Sequence, residues 1–493
     1  MNHGPKVTAM NAVLRPETTA PTLAMRAVFE RQRAAFASDM WPSYAVRLER
    51  LNRLYAMTER IAPEIVSALS SDFGQRSPHV TRLADIMMVL AAIKHARRKL
   101  RQWMKTRRAP VALAFLPAHN RVMPQPLGVV GIVAPWNYAY QLALGPAIAA
   151  IAAGNRVMIK PAEMTPRLSQ LLQRAIAETF APEEICVITG DAEVAKAFVT
   201  LPFDHLLFTG STEVGRQVAL AAAANLTPVT LELGGKSPAI LHSDCNLPRA
   251  AASLLVGKML NAGQTCLAPD YVLVPRAMRD QFVAAMHESA LRLYPNPQHN
   301  PDCTSIINER HHQRLQELLD DARARGAKIV TLARDAAVPD AAVLGAPRIM
   351  APALVLDVND QMRIMQQEIF GPLLPVLVYD TLDEVIAYVN RHERPLALYW
   401  YGRNAAAQKR ILSETISGGV TINDCIWHFG QEELPFGGVG ASGMGVYHGE
   451  AGFRTFSKHK PVFHQSALSG IPLLYPPYGR MFEVMAKVLK FIS

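Results

Sequence analysis

The stretch GVVGIVAPWNYAYQLALGPAIAAIAAGNRVMIKPA, residues 128–162, decides the fold. One short apolar run ends at Pro135, a longer series of small apolar residues ends at Gly154, and a second apolar run ends at Ala162. The two runs have the composition of buried strands, and the segment between them has the length of a helix. A glycine directly after a helix favours the left-handed residue that ends it. The stretch therefore predicts a strand–helix–strand unit.

The same alternation continues to residue 235. The runs ICVITG, HLLFTG and VTLELGG have strand character, and the segments between them have helical apolar spacing. Thr165, Asp191 and Ser211 stand where N-cap residues are favoured, and Pro166 occupies a first helical position. Repeated strand–helix alternation predicts an α/β region whose parallel sheet is covered on both faces.

The rest of the chain divides by composition. Residues 26–106 have helical spacing, and residues 107–126 are rich in proline and suit either a hairpin or an extended arm. A second α/β region spans 236–422, with strand runs such as YVLVP and LLPVLVYD. Residues 423–493 are first glycine-rich and then irregular. Residues 1–25 lack the apolar core of a signal peptide and are predicted to form a loose, flexible tail.

The composition indicates a globular protein of two or three domains. The chain has 493 residues, of which 50% are hydrophobic, so sizeable cores can form. Its five cysteines are scattered without metal-ligand spacing, which predicts no metal site and favours a reducing, cytoplasmic location. No apolar run reaches the roughly 18 residues that a membrane-spanning helix needs.

Two segments raise the question of a charged or lipid partner. Much of the net charge of +10 lies in KHARRKLRQWMKTRR, residues 94–108. This run suits contact with nucleic acid or an anionic membrane, but without a nucleic-acid motif we favour a solvated helix face. The final RMFEVMAKVLKFIS is amphipathic and suits either a membrane surface or docking on its own fold, of which we favour docking.

Two motifs indicate a phosphate- or ribose-binding edge of the first sheet. FTGSTEVG passes from strand to helix with Gly210, Ser211 and Gly215, and helix N–H groups at such a turn attract anions. IKPAEMTP places Lys160 and Glu163 after the preceding strand, where open α/β sheets bind ligands. An ordinary turn and a solvated Lys–Glu pair are the alternatives at these two places.

Three further residues suit nucleophilic chemistry. Cys266, in NAGQTC, follows a helical stretch, and a thiolate is a strong nucleophile once its pKa is lowered or a base is supplied. Glu232, at a strand end before two glycines, is a candidate base, and Asn137, in APWNY, is a candidate oxyanion donor. Each has an ordinary structural alternative, and spacing does not show that the three meet.

Taken in order, the motifs APWNY, IKPAE, FTGSTEVG, LELGGKSP, NAGQTC, EIFGP and LPFGGVGASGMG resemble the aldehyde dehydrogenase superfamily, over about residues 30–460. Within it the chain resembles the class 3-like branch and, more narrowly, bacterial coniferyl aldehyde dehydrogenases. The resemblance implies a Rossmann-like NAD(P)-binding domain (26–106 and 127–235) and an α/β catalytic domain (236–422). It also implies a small β oligomerisation arm with a tail (107–126 and 423–493), and hence a homodimer.

The resemblance assigns a role to each candidate catalytic residue. Cys266 would attack the aldehyde, and Asn137 with the Cys266 N–H would hold the resulting oxyanion. Hydride loss would leave a thioester, which water activated by Glu232 would release as the acid.

The resemblance also implies a cofactor site. The residues so assigned are Lys160 and Glu163 at the adenosine ribose, Gly210, Ser211 and Gly215 at the pyrophosphate, Trp136 beside the cofactor, and Glu368 and Phe370 at the nicotinamide half. A carboxylate such as Glu163 near the ribose favours NAD, although class 3-like members often also use NADP.

The substrate is indicated only by aromatic residues near the expected entrance. Tyr138, Trp427 and His428 suit a flat aromatic aldehyde such as coniferyl aldehyde, and ordinary core or interface packing is the alternative for each. Within the enzyme hypothesis, a fatty or other aliphatic aldehyde is the rival substrate. A CoA-acylating enzyme fits less well, because Glu232 supplies a base for water. A membrane-surface binding protein is the competing hypothesis from another class.

Overall fold

The structure is a computed structural model that describes residues 20–333 and 348–492. Its α-helices run α1 Ala20–Ser38, α2 Tyr44–Phe73, α3 Pro78–Thr81, α4 Met88–Trp103, α5 Gln141–Ala153, α6 Pro166–Thr179, α7 Ala192–Val199, α8 Thr212–Ala223, α9 Leu247–Met259, α10 Arg279–Leu293, α11 Glu309–Ala324, α12 Arg363–Gln366, α13 Leu382–Arg391, α14 Ala405–Glu414, α15 Gly449–Thr455 and α16 Arg480–Ile492. Its strands run β1 Arg107–Ala109, β2 His119–Pro126, β3 Val129–Val133, β4 Arg156–Lys160, β5 Ile185–Val187, β6 His205–Thr209, β7 Val229–Glu232, β8 Pro238–Leu241, β9 Tyr271–Pro275, β10 Lys328–Thr331, β11 Ala353–Leu356, β12 Leu373–Tyr379, β13 Ala397–Tyr401, β14 Gly419–Ile422, β15 Gly443–Met444 and β16 Ser457–His464. A π-helical turn, Arg82–Met87, joins α3 to α4.

The first sheet contains the five strands of the predicted alternation. Its strand order is β15-β7-β6-β3-β4-β5, with β15 antiparallel and the others parallel. Val130 and Ile132 pack in one core while Val129 packs in another, so helices cover both faces. The chain leaves β3 towards β5 and returns on the other side through β6. The boundary between β3 and β6 is therefore the switch point, where open sheets form a ligand crevice.

The second sheet has the order β10-β11-β12-β9-β8-β13-β14, with β10 antiparallel and the others parallel. Five of its seven strands, β8, β9, β11, β12 and β13, are largely buried apolar runs, whereas the edge strands β10 and β14 are only partly buried. Trp400 and Tyr399, neighbours on β13, are fully buried in two different cores, because successive side chains point to opposite faces. This sheet carries the segment between α9 and β9 that holds Cys266.

A third, small sheet pairs β1, β2 and β16 antiparallel. It joins the proline-rich segment to the region after the glycine-rich loop, where the sequence predicted irregular chain. That prediction is wrong for Ser457–His464, because this polar strand forms only by pairing with β2 along its whole length. Helix α16 packs on the turns Leu113–Phe115 and Ile471–Leu474. Within residues 20–333 and 348–492, every helix is too short or too polar to cross a membrane.

The structure agrees with three of the predicted helix ends and corrects one helix cap and the start of the first helix. Gly154 ends α5 with a φ of +98°, and Asp191 and Ser211 cap their helices as expected. Thr165 makes no capping hydrogen bond; Asp72 of α2 instead accepts from the first N–H groups of α6. Helix α1 begins at Ala20, inside the predicted tail, because Met25 packs under the first sheet. The rest of that tail, residues 1–19, lies outside the described residues.

Candidate active site

A cleft of about 740 Å³ opens at the carboxyl ends of β3, β6 and β7. It lies at the switch point of the first sheet, and the structure brings Asn137, Glu232 and Cys266 together there. Its full lining is Pro135, Trp136, Asn137, Thr209, Gly210, Ser211, Glu232, Leu233, Gly234, Cys266, His311, Arg314, Glu368 and Phe370. A thiol, an amide and a carboxyl group from three separate elements thus share one cleft.

The turn before Cys266 is held in an uncommon backbone conformation. Asn261 and Ala262 have left-handed φ values of +53° and +54°, and a Cβ on Gly263 would come within 2.3 Å of the Gly371 carbonyl oxygen. Buried Gln264 fixes the turn by donating to Asn261 O and Ser305 O, at 3.0 and 3.1 Å. The sharp turn after α9 therefore presents Cys266 to the cleft instead of continuing the helix.

Asn137 is held at both its backbone and its side chain. Its carbonyl oxygen accepts from Arg76 Nη1 at 2.9 Å and from Asn261 Nδ2 at 3.0 Å. Its side-chain Nδ2 donates to Gln264 O at 3.1 Å. An amide nitrogen carries two hydrogens, so the second remains for a ligand in the cleft. This arrangement suits the donation of a hydrogen bond to a developing oxyanion.

The thiol of Cys266 is neutral at rest in this environment. Burial, followed by the charges of Glu368 and Glu232, raises its pKa, while the N–H groups of Cys266 and Leu267 oppose that shift. Reaction at the sulfur therefore requires a proton acceptor or a change in the surrounding charge.

Glu232 is almost completely buried at the end of β7. Burial raises its pKa well above the usual range, and both carboxyl oxygens lack a hydrogen-bond partner among the described residues. A carboxyl group without donors holds its proton tightly and becomes a strong base once ionised.

Glu368 lies across the same cleft. Burial and then the charge of Asp270 raise its pKa to about 8, although the Gly235 N–H donates to the carboxyl group. A Cβ on Gly234 would come within 1.9 Å of Glu368 Oε2, so any other residue there would displace this carboxyl group. Phe370 lies edge-on to Trp136, with 5.4 Å between the ring centroids.

Sequence reasoning missed several residues of this cleft, including His311 and Arg314 of α11. Arg314 donates to the carbonyl oxygens of Glu368 and Ile369, which fixes the EIFGP turn. The spacing of three residues places both side chains on one helical face, but on a charged helix this pattern indicates a solvated face. Only the tertiary contact shows that the face points inward.

Only some of the residues assigned to the phosphate and ribose groups line the cleft. Gly210 and Ser211 line the cleft at the start of α8, whereas a Cβ on Gly215 would meet Leu233, so Gly215 permits close helix packing. Lys160 is buried at the end of β4 and donates to the Pro161 carbonyl, and Glu163 is exposed nearby. Neither Lys160 nor Glu163 is among the lining residues, so their ribose contacts remain predictions.

A second, more apolar cleft of about 900 Å³ reaches Cys266 from the other side. Of the described residues, only Cys266 lines both clefts. Tyr138 donates or accepts a 2.7 Å hydrogen bond with Thr265 beside the thiol, and half-exposed Trp427 lies at the rim. The remaining lining is dominated by aliphatic and aromatic side chains, including Leu83, Met88, Leu142, Val256, Ile426 and Phe429.

His428 does not line either cleft. Its Nδ1 is 2.8 Å from Thr421 Oγ1, and the ring fills the space over Gly419, where a Cβ would come within 2.7 Å. Burial lowers its pKa to about 4, so the ring is neutral. His428 thus packs over Gly419, which is the alternative already considered, and its contact with the substrate stays a prediction. Among the described residues there is also no group of His, Cys, Asp and Glu side chains arranged to hold a metal.

The family model described as the aldehyde dehydrogenase family matches residues 18–462. A Pseudomonas aeruginosa protein described as a probable coniferyl aldehyde dehydrogenase is 48% identical over 93% of this chain and 94% of its own length. The substrate-bound structure of Staphylococcus aureus AldH is 37% identical, with a TM-score of 0.88 over 94% of this chain and 99% of that one. A Mycobacterium tuberculosis aldehyde dehydrogenase complexed with NAD+ is 29% identical, with a TM-score of 0.78 over 90% of each chain.

The chain therefore belongs to the aldehyde dehydrogenase family. The α/β fold predicted from the resemblance, with its two large sheets and small β arm, is confirmed.

Proposed function

We propose that the chain oxidises an aldehyde to a carboxylic acid with NAD(P) as the cofactor. The observation that carries this proposal is the position of Cys266 at the meeting point of two clefts. One cleft supplies Asn137 and Glu232 at the switch point of the first sheet, and the other offers an apolar path for an aldehyde. With these roles, a nucleophile, an oxyanion donor and a base would surround one position for a carbonyl group, which supports the proposal.

The residues of the first cleft fit a dinucleotide. Ser211 caps α8, whose N–H groups suit the pyrophosphate, and Gly234 leaves space for Glu368 to face a ribose. Trp136 and Phe370 would flank the nicotinamide ring, and Lys160 with Glu163 would hold the adenosine ribose. Glu163 favours a free 2′-hydroxyl, so we propose NAD as the main cofactor and NADP as a second one. When bound, the nicotinamide supplies the hydride acceptor, and the NAD+ complex of the Mycobacterium tuberculosis relative supports this choice.

The chain's own residues would perform the remaining steps. Glu232, once ionised, accepts the proton of the Cys266 thiol and passes it to solvent. The sulfur adds to the aldehyde carbon, while Asn137 Nδ2 and the Cys266 N–H donate to the oxygen that becomes negative. Oxidation of this adduct leaves a thioester on Cys266. Glu232, once ionised, takes a proton from water, which attacks the thioester and releases the acid and the thiol.

We further propose an aromatic aldehyde of the coniferyl type as the substrate. The apolar lining, Tyr138 beside the thiol and Trp427 at the rim suit a flat ring, and the Pseudomonas aeruginosa relative supports the assignment. An aliphatic aldehyde uses the same apolar surface without the ring contact and is the second candidate.

The test measures initial rates of NADH formation without CoA, for coniferyl, benzoic-type and long-chain aldehydes and both cofactors. We expect the highest kcat/KM with coniferyl aldehyde and no turnover by Cys266→Ala. Trp427→Ala should raise KM for the aromatic aldehydes several-fold, whereas Trp41→Ala, another partly exposed tryptophan outside both clefts, should not. Aldehyde oxidation by Cys266→Ala at the wild-type rate would refute the proposed chemistry.

A homodimer in the cytoplasm is also part of the proposal. The small sheet and its neighbouring turn expose Leu113, Leu116 and Phe463, each more than half exposed, which a second copy would cover. All five cysteines are free, which suits a reducing compartment. Light scattering after size-exclusion chromatography tests the dimer: a monomer at micromolar concentration would contradict it.

A further inference from the structure

A buried ion pair lies directly behind the segment that carries Asn137. Arg76 Nη2 is 2.7 Å from Asp85 Oδ2, and both side chains are completely buried. The planar guanidinium lies over the rings of Phe73 and Tyr138, at 4.9 and 5.3 Å from their centroids. Ring stacking and two directed hydrogen bonds fix the group in one orientation, which a lysine ammonium cannot reproduce.

The ion pair forms a hydrogen bond at each end of the segment 137–141. Arg76 Nη1 donates to Asn137 O at 2.9 Å, and Asp85 Oδ1 accepts from Gln141 N at 3.2 Å. Asp85 thus caps the start of α5, and Arg76 neutralises the carboxylate and anchors the preceding peptide. The backbone from which the Asn137 amide reaches the cleft is therefore held by this ion pair on one side and by Asn261 on the other.

We propose that Arg76 is a positioning residue that sets the Asn137 amide at the oxyanion position, with Asp85 as its partner. Arg76 itself does not line either cleft, so it acts only through this segment. The inference rests on the proposed role of Asn137 as oxyanion donor. Buried ion pairs are poor sources of net stability, since desolvation offsets their attraction, and this makes a positioning role the better account of the pair.

The test is a double-mutant cycle on kcat with saturating aldehyde and NAD. Asn137→Ala removes the donor and should lower kcat by about 10²- to 10³-fold. Arg76→Lys should lower kcat by about 10²-fold, with little change in KM, because a misplacement near 1 Å has a cost of that order. In the Asn137→Ala background, Arg76→Lys should change kcat by less than about threefold, since the amide it positions is gone.

Arg50→Lys is the matched control. Arg50 is also a buried arginine in an ion pair, 2.8 Å from Glu184, but it contacts neither cleft and should keep wild-type kcat. The rate at which iodoacetamide alkylates Cys266, followed by peptide mass mapping, measures the reactivity of the thiol independently of turnover. It should stay within about twofold of wild type in Arg76→Lys, because alkylation does not use the oxyanion donor.

A second variant guards against misfolding of Arg76→Lys. The double substitution Arg76→Met with Asp85→Asn removes both charges, so no unpaired charge stays buried, and it should melt near the wild type. It should nevertheless be as slow as Arg76→Lys, because Asn137 O loses the hydrogen bond from Arg76 and keeps only the one from Asn261. Three results overturn the inference: wild-type kcat in either variant, equal fold losses of kcat in both backgrounds of the cycle, or alkylation that falls in parallel with kcat. Undiminished turnover by Asn137→Ala would instead refute the proposed function.

Discussion

Gly234→Ala directly tests whether Glu368 must occupy its observed place in the first cleft. The new Cβ would lie 1.9 Å from Glu368 Oε2, where real Cβ contacts stay beyond 3.0 Å, so the carboxyl group must retreat by about 1.1 Å. Gly234 has no left-handed φ, so the substitution acts by contact and not by backbone strain. A shift of about 1 Å in a group that positions a reactant corresponds to roughly 10²-fold in rate, or about 2.7 kcal/mol.

The assay is initial-rate kinetics at varied NAD, together with calorimetric titration of NAD and a thermal melt. We expect kcat/KM for NAD to fall by about 10²-fold while the melting temperature stays close to the wild type. Gly479→Ala is the control, because a Cβ at that position meets nothing within 4 Å.

A stricter test measures the effect of Gly234→Ala in a protein that already carries a substitution of Glu368. Truncation of this side chain in Glu368→Ala removes the atom with which the new Cβ collides, so Gly234→Ala should have no further effect there. Full NAD affinity in Gly234→Ala, or an equal loss in the Glu368→Ala background, would contradict the proposed role of Glu368 in cofactor binding.

Two further predictions follow from the raised pKa values of Glu232 and Cys266. The raised pKa of Glu232 means that the folded state binds its proton more tightly than the unfolded chain, so this group destabilises the fold progressively as pH rises above about 4.5. Glu232→Gln should therefore raise the melting temperature, by a margin that widens from pH 5 to pH 8, and abolish release of the acid product. Because the charge of Glu368 raises the pKa of Cys266, Glu368→Gln should shift the pH midpoint of Cys266 alkylation downward; an upward shift would contradict the assigned cause.

The first sheet was predictable because its residues are constrained locally. Strands buried on both faces are continuous apolar runs, and Gly154, Asp191 and Ser211 act within one helical turn of their own position. The cap of α6 was not predictable, since Asp72 reaches it from nearly a hundred residues away. Strand β16 was missed for the same reason: its polar residues become a strand only against β2. Contacts within one helical turn can be predicted from a sequence, whereas a partner that is distant along the chain cannot.

The same contrast between local patterns and tertiary contacts applies to the candidate site. The motifs around Asn137, Glu232 and Cys266 indicated the chemistry, because a nucleophile, a base and a neutral donor are needed together. Their convergence depends on where β3, β7 and α9 end in space, which spacing along the chain does not encode. The sequence left two roles open for His428, because an aromatic residue near an entrance and one that fills a gap, as this ring does over Gly419, have the same local sequence pattern.

The activation of Cys266 could proceed in two ways that the sequence left open, because a nucleophilic thiol needs either a lowered pKa or a base. Burial, followed by the charges of Glu368 and Glu232, raises the pKa of Cys266, which favours a base. Arg314, which lines the same cleft, donates to backbone carbonyls, and Lys236 pairs with Asp270. The same burial that keeps the thiol protonated also raises the pKa of Glu232 and so makes its ionised form a stronger base. Burial thus raises the pKa of both the Cys266 thiol and the Glu232 carboxyl group. We expect the site to react only after a proton has left this pair of residues.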